Sequence, residues 1–316
     1  MDNLTHSLAG WALGQAGLKA KTRKGLAALI LGANMPDIDV FLGNAPWDPL
    51  SIHRGFTHSL VGGVLLMPPI LAGLLWLLDS WQARRGADFK SGLPMRFGWL
   101  LALSYLGTLT HPFLDLLTTY SIQLFSPLSS AWYHADALFI IDVWVWLLLA
   151  LAIGISKRRE QQGKDWRQIP RAAIAILLVY IGVNLLISQS AFADVRRTSA
   201  NAKRIFASPP PVMFWKRDMV WQEGASYCRA TDDPLGSGFQ PLGSCTPSNM
   251  GDPAVKDAIR RDPRLQKFLK WSILPQADIS RDRCSIHVSI GDARYGEGRR
   301  SRLARESIIP TGDGRC

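Results

Sequence analysis

The chain has 316 residues, of which 47% are hydrophobic, and it carries a formal net charge of +11. This length allows one large domain or two ordinary ones. Long apolar runs fill residues 1–193, whereas residues 194–316 are polar and rich in Arg and Asp. The division excludes a uniformly soluble chain and predicts a membrane domain followed by a soluble domain.

The first part contains stretches long enough to cross a bilayer as helices, which requires roughly 20 apolar residues. Four stretches carry at most one charged side chain: 55–78, 97–114, 137–156 and 172–193. Two shorter apolar stretches, 4–18 and 25–36, predict a tight helical hairpin that spans or half-spans the bilayer. We therefore predict a mainly α fold, a polytopic membrane bundle of about six helices with a small α+β soluble C-terminal domain.

The connecting segments predict the orientation of this bundle. Segments 19–24, 80–96 and 156–171 together hold fourteen Lys and Arg residues, whereas the intervening segments 37–57 and 120–136 hold only Arg54. Basic loops face the cytoplasm. We therefore expect a multi-pass protein of the bacterial inner membrane with both termini outside. Because fourteen of the 36 basic residues lie in the predicted cytoplasmic loops, the net charge does not predict nucleic-acid binding.

The second part divides into a juxtamembrane linker, 194–210, and a soluble domain, 211–316. Alternation of apolar and polar residues predicts strands at 212–222 and 285–290, and a Pro after Asp252 predicts a helix over 253–273. An extracytoplasmic domain favours disulfides, and the alternative is four unpaired thiols in a cytoplasmic domain. The cysteines concerned are Cys228, Cys245, Cys284 and Cys316. The domain shows no catalytic constellation, so it caps the site described below or binds a partner.

Ionisable residues at membrane depth are costly and tend to be functional. In the predicted topology, seven of them fall on the outer face of domain 1–193 and predict a divalent-metal site: His6, Asp37, Asp39, His53, His58, His111 and Asp115. Taken singly, each His has an ordinary explanation as a helix cap or an interfacial hydrogen bonder. In the same way, His134 reads as a loop residue, and Asp142 could neutralise Arg54.

Local patterns support the metal site. T-H-S-L-A-G at 5–10 and T-H-S-L-V-G at 57–62 place a His at the start of two apolar helices. His111 and Asp115 share a helical face, with Pro112 between them. Asp37 and Asp39 would point the same way in an extended segment. Carboxylates beside imidazoles suit zinc, or manganese if oxygens dominate.

Together with N-M-P-D-I-D at 34–39 and H-R-G-F-T-H-S at 53–59, these motifs resemble the YdjM-type family of membrane-bound, metal-dependent hydrolases. Some members of that family are regulated by LexA. The resemblance covers roughly residues 1–190, and the family is distantly similar to zinc-dependent phospholipase C. By that analogy the metal ligands are His6, Asp37 or Asp39, His53 or His58, His111 and Asp115. The later His-x-x-x-Glu pair of the phospholipase is missing, since Leu138 stands four residues after His134, so we expect one or two ions.

The expected function is a membrane-bound hydrolase that cleaves a phosphoester or ester of a lipid, or of another substrate near the membrane, through a metal-activated water. Asp37 or Asp39 would take the proton, and Arg54 would hold a phosphate oxygen. The expected partner is membrane lipid. The alternative is a non-enzymatic metal-binding scaffold or a transporter, and a transporter would carry ionisable residues across the whole membrane.

Overall fold

The computed structural model describes residues 1–41, 53–296 and 304–310. The chain divides into two compact units. The first is Met1–Leu186 with Pro211–Phe214, and the second is Ile187–Pro210 with Trp215–Cys316. Each unit is described by itself.

The first unit is helical. Its helices are α1 Asn3–Gln15, α2 Gly25–Asn34, a π-helix Leu60–Leu66 that continues as α3 Met67–Arg84, α4 Phe97–Leu116, α5 Val143–Gln161 and α6 Gln168–Thr198, which runs on into the second unit. Carboxylates fix two of the helix starts, because Asp2 accepts hydrogen bonds from the first turn of α1 and Asp142 from the first turn of α5. Asp142 also accepts a hydrogen bond from the Tyr180 hydroxyl, at 3.0 Å.

Glycines allow α2 to pack closely against both α1 and α4. A Cβ on Gly10 of α1 would lie 2.6 Å from the Leu29 carbonyl oxygen, and one on Gly107 of α4 would lie 2.5 Å from that same oxygen. Only residues without a side chain fit such backbone contacts. His6 lies one turn before Gly10 and His111 one turn after Gly107, so this packing brings both imidazoles to the same end of the unit.

The prediction of about six spanning helices is wrong. Among the described residues, two helices are long and apolar enough to cross a membrane: Leu60–Arg84 and Gln168–Thr198. Helices α1 and α2 have 13 and 10 residues, which at about 1.5 Å per residue is too short for roughly 30 Å of hydrocarbon. Helix α4 carries polar residues on both sides of Pro112, and the last turns of α5 are charged. The fold therefore combines eight helices in the described residues with two antiparallel sheets.

The second unit holds both sheets. The first has the order β1-β2-β3-β4, with β5 also on β3, and the second has the order β6-β7-β8. The strands are β1 Lys203–Ser208, β2 Arg217–Glu223, β3 Ser226–Asp233, β4 Gly238–Pro241, β5 Thr246–Pro247, β6 Pro275–Arg281, β7 Ser285–Asp292 and β8 Arg305–Pro310. The strand predicted over 285–290 lies within β7, whereas the one predicted over 212–222 overlaps β2 only from residue 217. The predicted linker 194–210 contains the end of α6 and all of β1.

Two further features of this unit bear on the sequence predictions. The single helix predicted over 253–273 is two helices, α7 Pro253–Arg261 and α8 Pro263–Trp271, because Asp262 ends the first and caps the second. Cys228 and Cys245 form a disulfide, so the unpaired-thiol alternative fails for this pair. Cys316 lies outside the described residues.

Candidate metal centre

The seven predicted ligands come from four segments that end at one place. His6 lies in the second turn of α1, and His111 and Asp115 lie in the last two turns of α4. Asp37 and Asp39 lie in a 3-10 helix, Met35–Phe41, that continues directly from α2. His53 and His58 precede the π-helix. The tight packing of α1 and α4 on α2 explains why residues so far apart in sequence meet.

The side chains form three overlapping groups, in each of which the ligand atoms lie within 4.8 Å of one another. The groups are His6–His111–Asp115, Asp37–His58–His111 and Asp39–His53–His58. His111 and His58 belong to two groups each, so the cluster is continuous. All members are buried except His53, whose side chain is 18% exposed. The cluster therefore has a deep end at Asp115 and an end nearer the surface at His53.

Two carboxylates organise the deep part of the cluster. Asp37 Oδ1 lies 3.1 Å from His58 Nε2 and 3.4 Å from His111 Nε2. Asp115 Oδ2 lies 3.5 Å from His58 Nε2 and 3.4 Å from His111 Nε2, and its Oδ1 lies 3.5 Å from His6 Nε2. The His6 and His111 rings stack with 3.8 Å between centroids. Three imidazole Nε2 atoms thus point at two carboxylates.

Several of these buried atoms make no hydrogen bond within the described part of the chain. They are both ring nitrogens of His6, Nε2 of His111 and both carboxylate oxygens of Asp115. His111 Nδ1 lies 2.7 Å from the Ala33 carbonyl oxygen, so it carries the proton and leaves the Nε2 lone pair directed at the carboxylates. Burying such groups without partners costs free energy. A divalent cation could take one ring nitrogen of His6 together with His111 Nε2 and the Asp115 carboxylate, so the residues present fit a metal.

The group nearer the surface is better satisfied by protein contacts. His53 Nδ1 lies 2.9 Å from Asp39 Oδ1, and the Thr57 hydroxyl donates to Asp39 Oδ2 at 2.5 Å. Thr57 belongs to the second T-H-S-L repeat. Its hydroxyl orients Asp39. Asp39 is therefore held by two neighbours whether or not an ion is present.

The electrostatic environment favours the protonation states that metal binding requires. Burial lowers the pKa of His58 well below its usual value, against the opposing hydrogen bond to Asp37. Burial by itself would raise the pKa of Asp37, but the neighbouring His111 and His58 imidazoles outweigh it and hold this pKa well below its usual range. Neutral imidazole and ionised carboxylate are the forms that coordinate a cation.

Arg54 has a different place from the one predicted. Its side chain is buried, with Nη2 3.2 Å from Asp115 Oδ1, and Nη1 donates to the Thr118 hydroxyl at 3.0 Å. Its guanidinium lies over the Tyr120 ring, 4.4 Å from the centroid. The backbone nitrogen of Met1 also contacts Asp115. Arg54 thus pairs with a candidate ligand, and the alternative in which Asp142 neutralises it does not hold, because Asp142 caps α5.

His134 lies outside the three groups. Its Nδ1 lies 2.9 Å from Asp136 Oδ1. The backbone beside this pair is tied to the residues that follow Asp115, because the Ala135 amide donates to the Leu116 carbonyl and the Ala137 amide to the Leu117 carbonyl, each at 2.8 Å. The pair therefore flanks the centre without supplying a ligand to it.

Comparison with known proteins gives a family. No curated protein and no solved structure matches the chain. The family model described as YdjM inner membrane protein matches residues 1–191. This range contains all seven predicted ligands, the whole candidate span Leu60–Arg84 and all but the last turns of Gln168–Thr198. The likeness to hydrolases and to phospholipase C stays a prediction, whereas the YdjM family inferred from the motifs is confirmed: the chain belongs to the YdjM family of inner membrane proteins.

Proposed function

We propose that the chain is a metal-dependent hydrolase of the inner membrane that cleaves a phosphoester or ester of a lipid. The observation that supports it is the set of buried His and Asp atoms that converge and make no hydrogen bonds among the described residues. An inert protein has little reason to keep such a cluster, because apolar residues of similar volume would be less costly there.

The residues divide into two roles under this proposal. The first role is to hold one or two divalent ions, which the ligand types favour as zinc, with manganese as the alternative. The residues in this role would be His6, His111, Asp115, Asp37 and His58. When bound, the metal supplies an acidified water and a Lewis acid at a phosphoryl oxygen. Imidazole and carboxylate ligands both suit zinc. Asp115 is held in place by Arg54, which keeps its carboxylate aimed at the imidazoles.

Asp39 is the best candidate for the general base. It lies beside the partly exposed His53, and its two oxygens are held by His53 and Thr57. A carboxylate fixed in this way can take a proton from water and pass it to the imidazole. Arg54 is buried against Asp115, so we assign it to positioning a ligand rather than to holding a phosphate oxygen.

A lipid substrate follows from where the site lies on its helices. His58 directly precedes the apolar helix Leu60–Arg84, one of the two candidate spans. A centre at the end of a spanning helix lies at headgroup depth. Lipid headgroup esters are the hydrolysable bonds at that depth.

The test is the metal content of the detergent-purified chain, measured by elemental analysis. We expect one or two equivalents of zinc or manganese, lost in His111→Ala and in Asp115→Ala. The matched control is His287→Ala, because His287 lies on β7 in the other unit, 3.1 Å from Asp282. Hydrolysis of a short-chain phospholipid should follow the metal content across the four proteins.

Two outcomes would contradict the proposal in different ways. Absence of stoichiometric metal from unchelated protein would leave the histidines as buried structural groups. Stoichiometric metal without hydrolysis of phosphoester or carboxylester lipids would favour the metal-binding scaffold instead.

A further inference from the structure

The three basic segments of the first unit meet at the end opposite the metal centre. Lys19 Nζ lies 2.6 Å from Glu160, which joins segment 19–24 to segment 156–171. Arg23 forms a two-point ion pair with the buried Asp79, with its shortest contact at 2.6 Å, at the far end of the helix that His58 precedes. These contacts gather at one place charges that lie far apart in sequence.

A cavity of about 430 Å³ lies where these segments meet. Its polar and aromatic lining includes Lys19, Thr22, Arg23, Lys24, Ser91 and Trp166, with Glu160 as the carboxylate. The three cations of the cavity wall thus face two carboxylates, Glu160 in the wall and Asp79 behind Arg23, which leaves a net positive charge. Helix α2 begins at this wall, and its N-cap, Lys24, gives it no side-chain hydrogen bond. The positive end of the helix dipole therefore adds to the positive field.

The cavity lies beside one end of each candidate span. Asp79, which holds Arg23, belongs to the last turns of the candidate span Leu60–Arg84, and Trp166 stands two residues before the other span, Gln168–Thr198. Aromatic rings support the cations, since Lys19 lies over Trp166 at 4.5 Å and Arg23 over Phe89 at 3.8 Å. Interfacial aromatic and basic residues of this kind mark headgroup depth.

We propose that this cavity binds the phosphodiester headgroup of an anionic phospholipid. Clustered Lys and Arg between membrane helices attract anionic headgroups. Lys19 and Lys24 would contact the phosphate oxygens, while Thr22 and Ser91 supply hydroxyl groups beside them. The site lies at the other end of the span from the metal centre, so it holds a lipid that is not hydrolysed, and it does not depend on the proposed hydrolase activity.

The experiment measures lipid retention by native mass spectrometry of the full chain in detergent, titrated with phosphatidylglycerol, cardiolipin or phosphatidylcholine. We expect anionic lipid to bind about tenfold or more tightly than phosphatidylcholine, and Lys19→Gln/Lys24→Gln to abolish most of that preference, because each basic residue contributes about fivefold. The matched control Lys90→Gln/Lys164→Gln removes the same charge from exposed positions in the other two basic segments, and neither residue lines the cavity. It should stay within about twofold of the parent chain.

Further variants and competitors distinguish specific binding in the cavity from general attraction of anionic lipid to a positively charged protein. Lys19→Arg/Lys24→Arg should retain binding, which shows that loss in the Gln variant is not loss of folding. Equal loss in the Lys90/Lys164 variant, or equal retention of phosphatidylcholine, would overturn the proposal. So would displacement of the lipid by inorganic phosphate at equal concentration, because the site would then take a free anion. Metal content should be the same in all of these variants.

Discussion

At the scale of single residues, the centre is governed by how buried charge is balanced. Asp115 lies at the deep end of the cluster, beside the Arg54 guanidinium at 3.2 Å and the terminal amine of Met1. An uncompensated buried carboxylate costs several kcal/mol, whereas a paired one is tolerated. A bound divalent ion would supply the same compensation. In the proposed centre, Arg54 and a bound metal would therefore share the task of neutralising Asp115.

This sharing predicts how Arg54→Met behaves. Without metal, the variant should lose up to about 3–5 kcal/mol of stability, because Asp115 loses the guanidinium and keeps only the terminal amine of Met1 beside it. Added zinc should raise the thermal midpoint of the variant by more than it raises that of the parent chain. The measurement is a thermal unfolding series in detergent with and without zinc. An equal zinc-induced shift in both proteins would show that Arg54 and the metal do not act on the same carboxylate.

At the scale of elements, the close approach of α1 and α4 to α2 positions the ligands. Gly10 and Gly107 contact the same carbonyl, that of Leu29. A side chain at either place would push a ligand-bearing helix outward. Because the ligand atoms lie within 4.8 Å of one another, a displacement of about 1 Å would disturb coordination, for which distances must hold to about 0.2 Å.

Two glycines of α4 provide a matched test. Gly107→Ala should lower both stability and metal content, since its Cβ would meet backbone at 2.5 Å. Gly98→Ala, where a Cβ would meet nothing within 4 Å among the described residues, should leave metal content unchanged and raise stability by up to about 1 kcal/mol through helix propensity. Elemental analysis and thermal unfolding of both variants give the answer. Retention of full metal content in Gly107→Ala would contradict the packing argument.

At the scale of the whole molecule, the two units are stabilised by different means. The first depends on helix packing, as in the close contacts of Gly10 and Gly107 with Leu29. The second has two small sheets, a disulfide whose cysteines are 17 residues apart, and a fully buried Arg294–Asp292 ion pair at 2.8 Å. In Asp292, the effect of Arg294 and its hydrogen bonds outweighs burial and lowers the pKa. This ion pair therefore stabilises the unit at pH values above the usual pKa of an Asp side chain. Its contribution is lost as the pH falls through the lowered pKa of Asp292.

Removal of the disulfide should affect one unit only. Cys228→Ser/Cys245→Ser should lower the stability of the second unit by about 3 kcal/mol, since the loop it closes is short. The metal content of the first unit should not change. Hydrogen exchange followed by mass spectrometry reports both units in one experiment. Faster exchange that spreads into α1, α2 and α4 would show that the units are not independent.

The sequence by itself determined which residues meet at the centre and where the apolar part ends. The T-H-S-L repeat, N-M-P-D-I-D and the His111–Asp115 spacing depend on residue type and local periodicity, and these are local properties of the chain. The same holds for the family and for the strands in β2 and β7. The metal and its chemistry stay predictions.

Only the tertiary structure decided how long each helix is and which charges pair. Hydropathy counts the apolar residues in a window of sequence, and this count does not fix where a helix ends. Helices α1 and α2 therefore have only 13 and 10 residues, where a hairpin that spans or half-spans the bilayer was predicted. Arg54 pairs with Asp115 and not with Asp142 because α4 ends beside residue 54, whereas Asp142 caps its own helix. Such pairings join residues about 60 positions apart, and no local pattern encodes them because they arise only when helices pack.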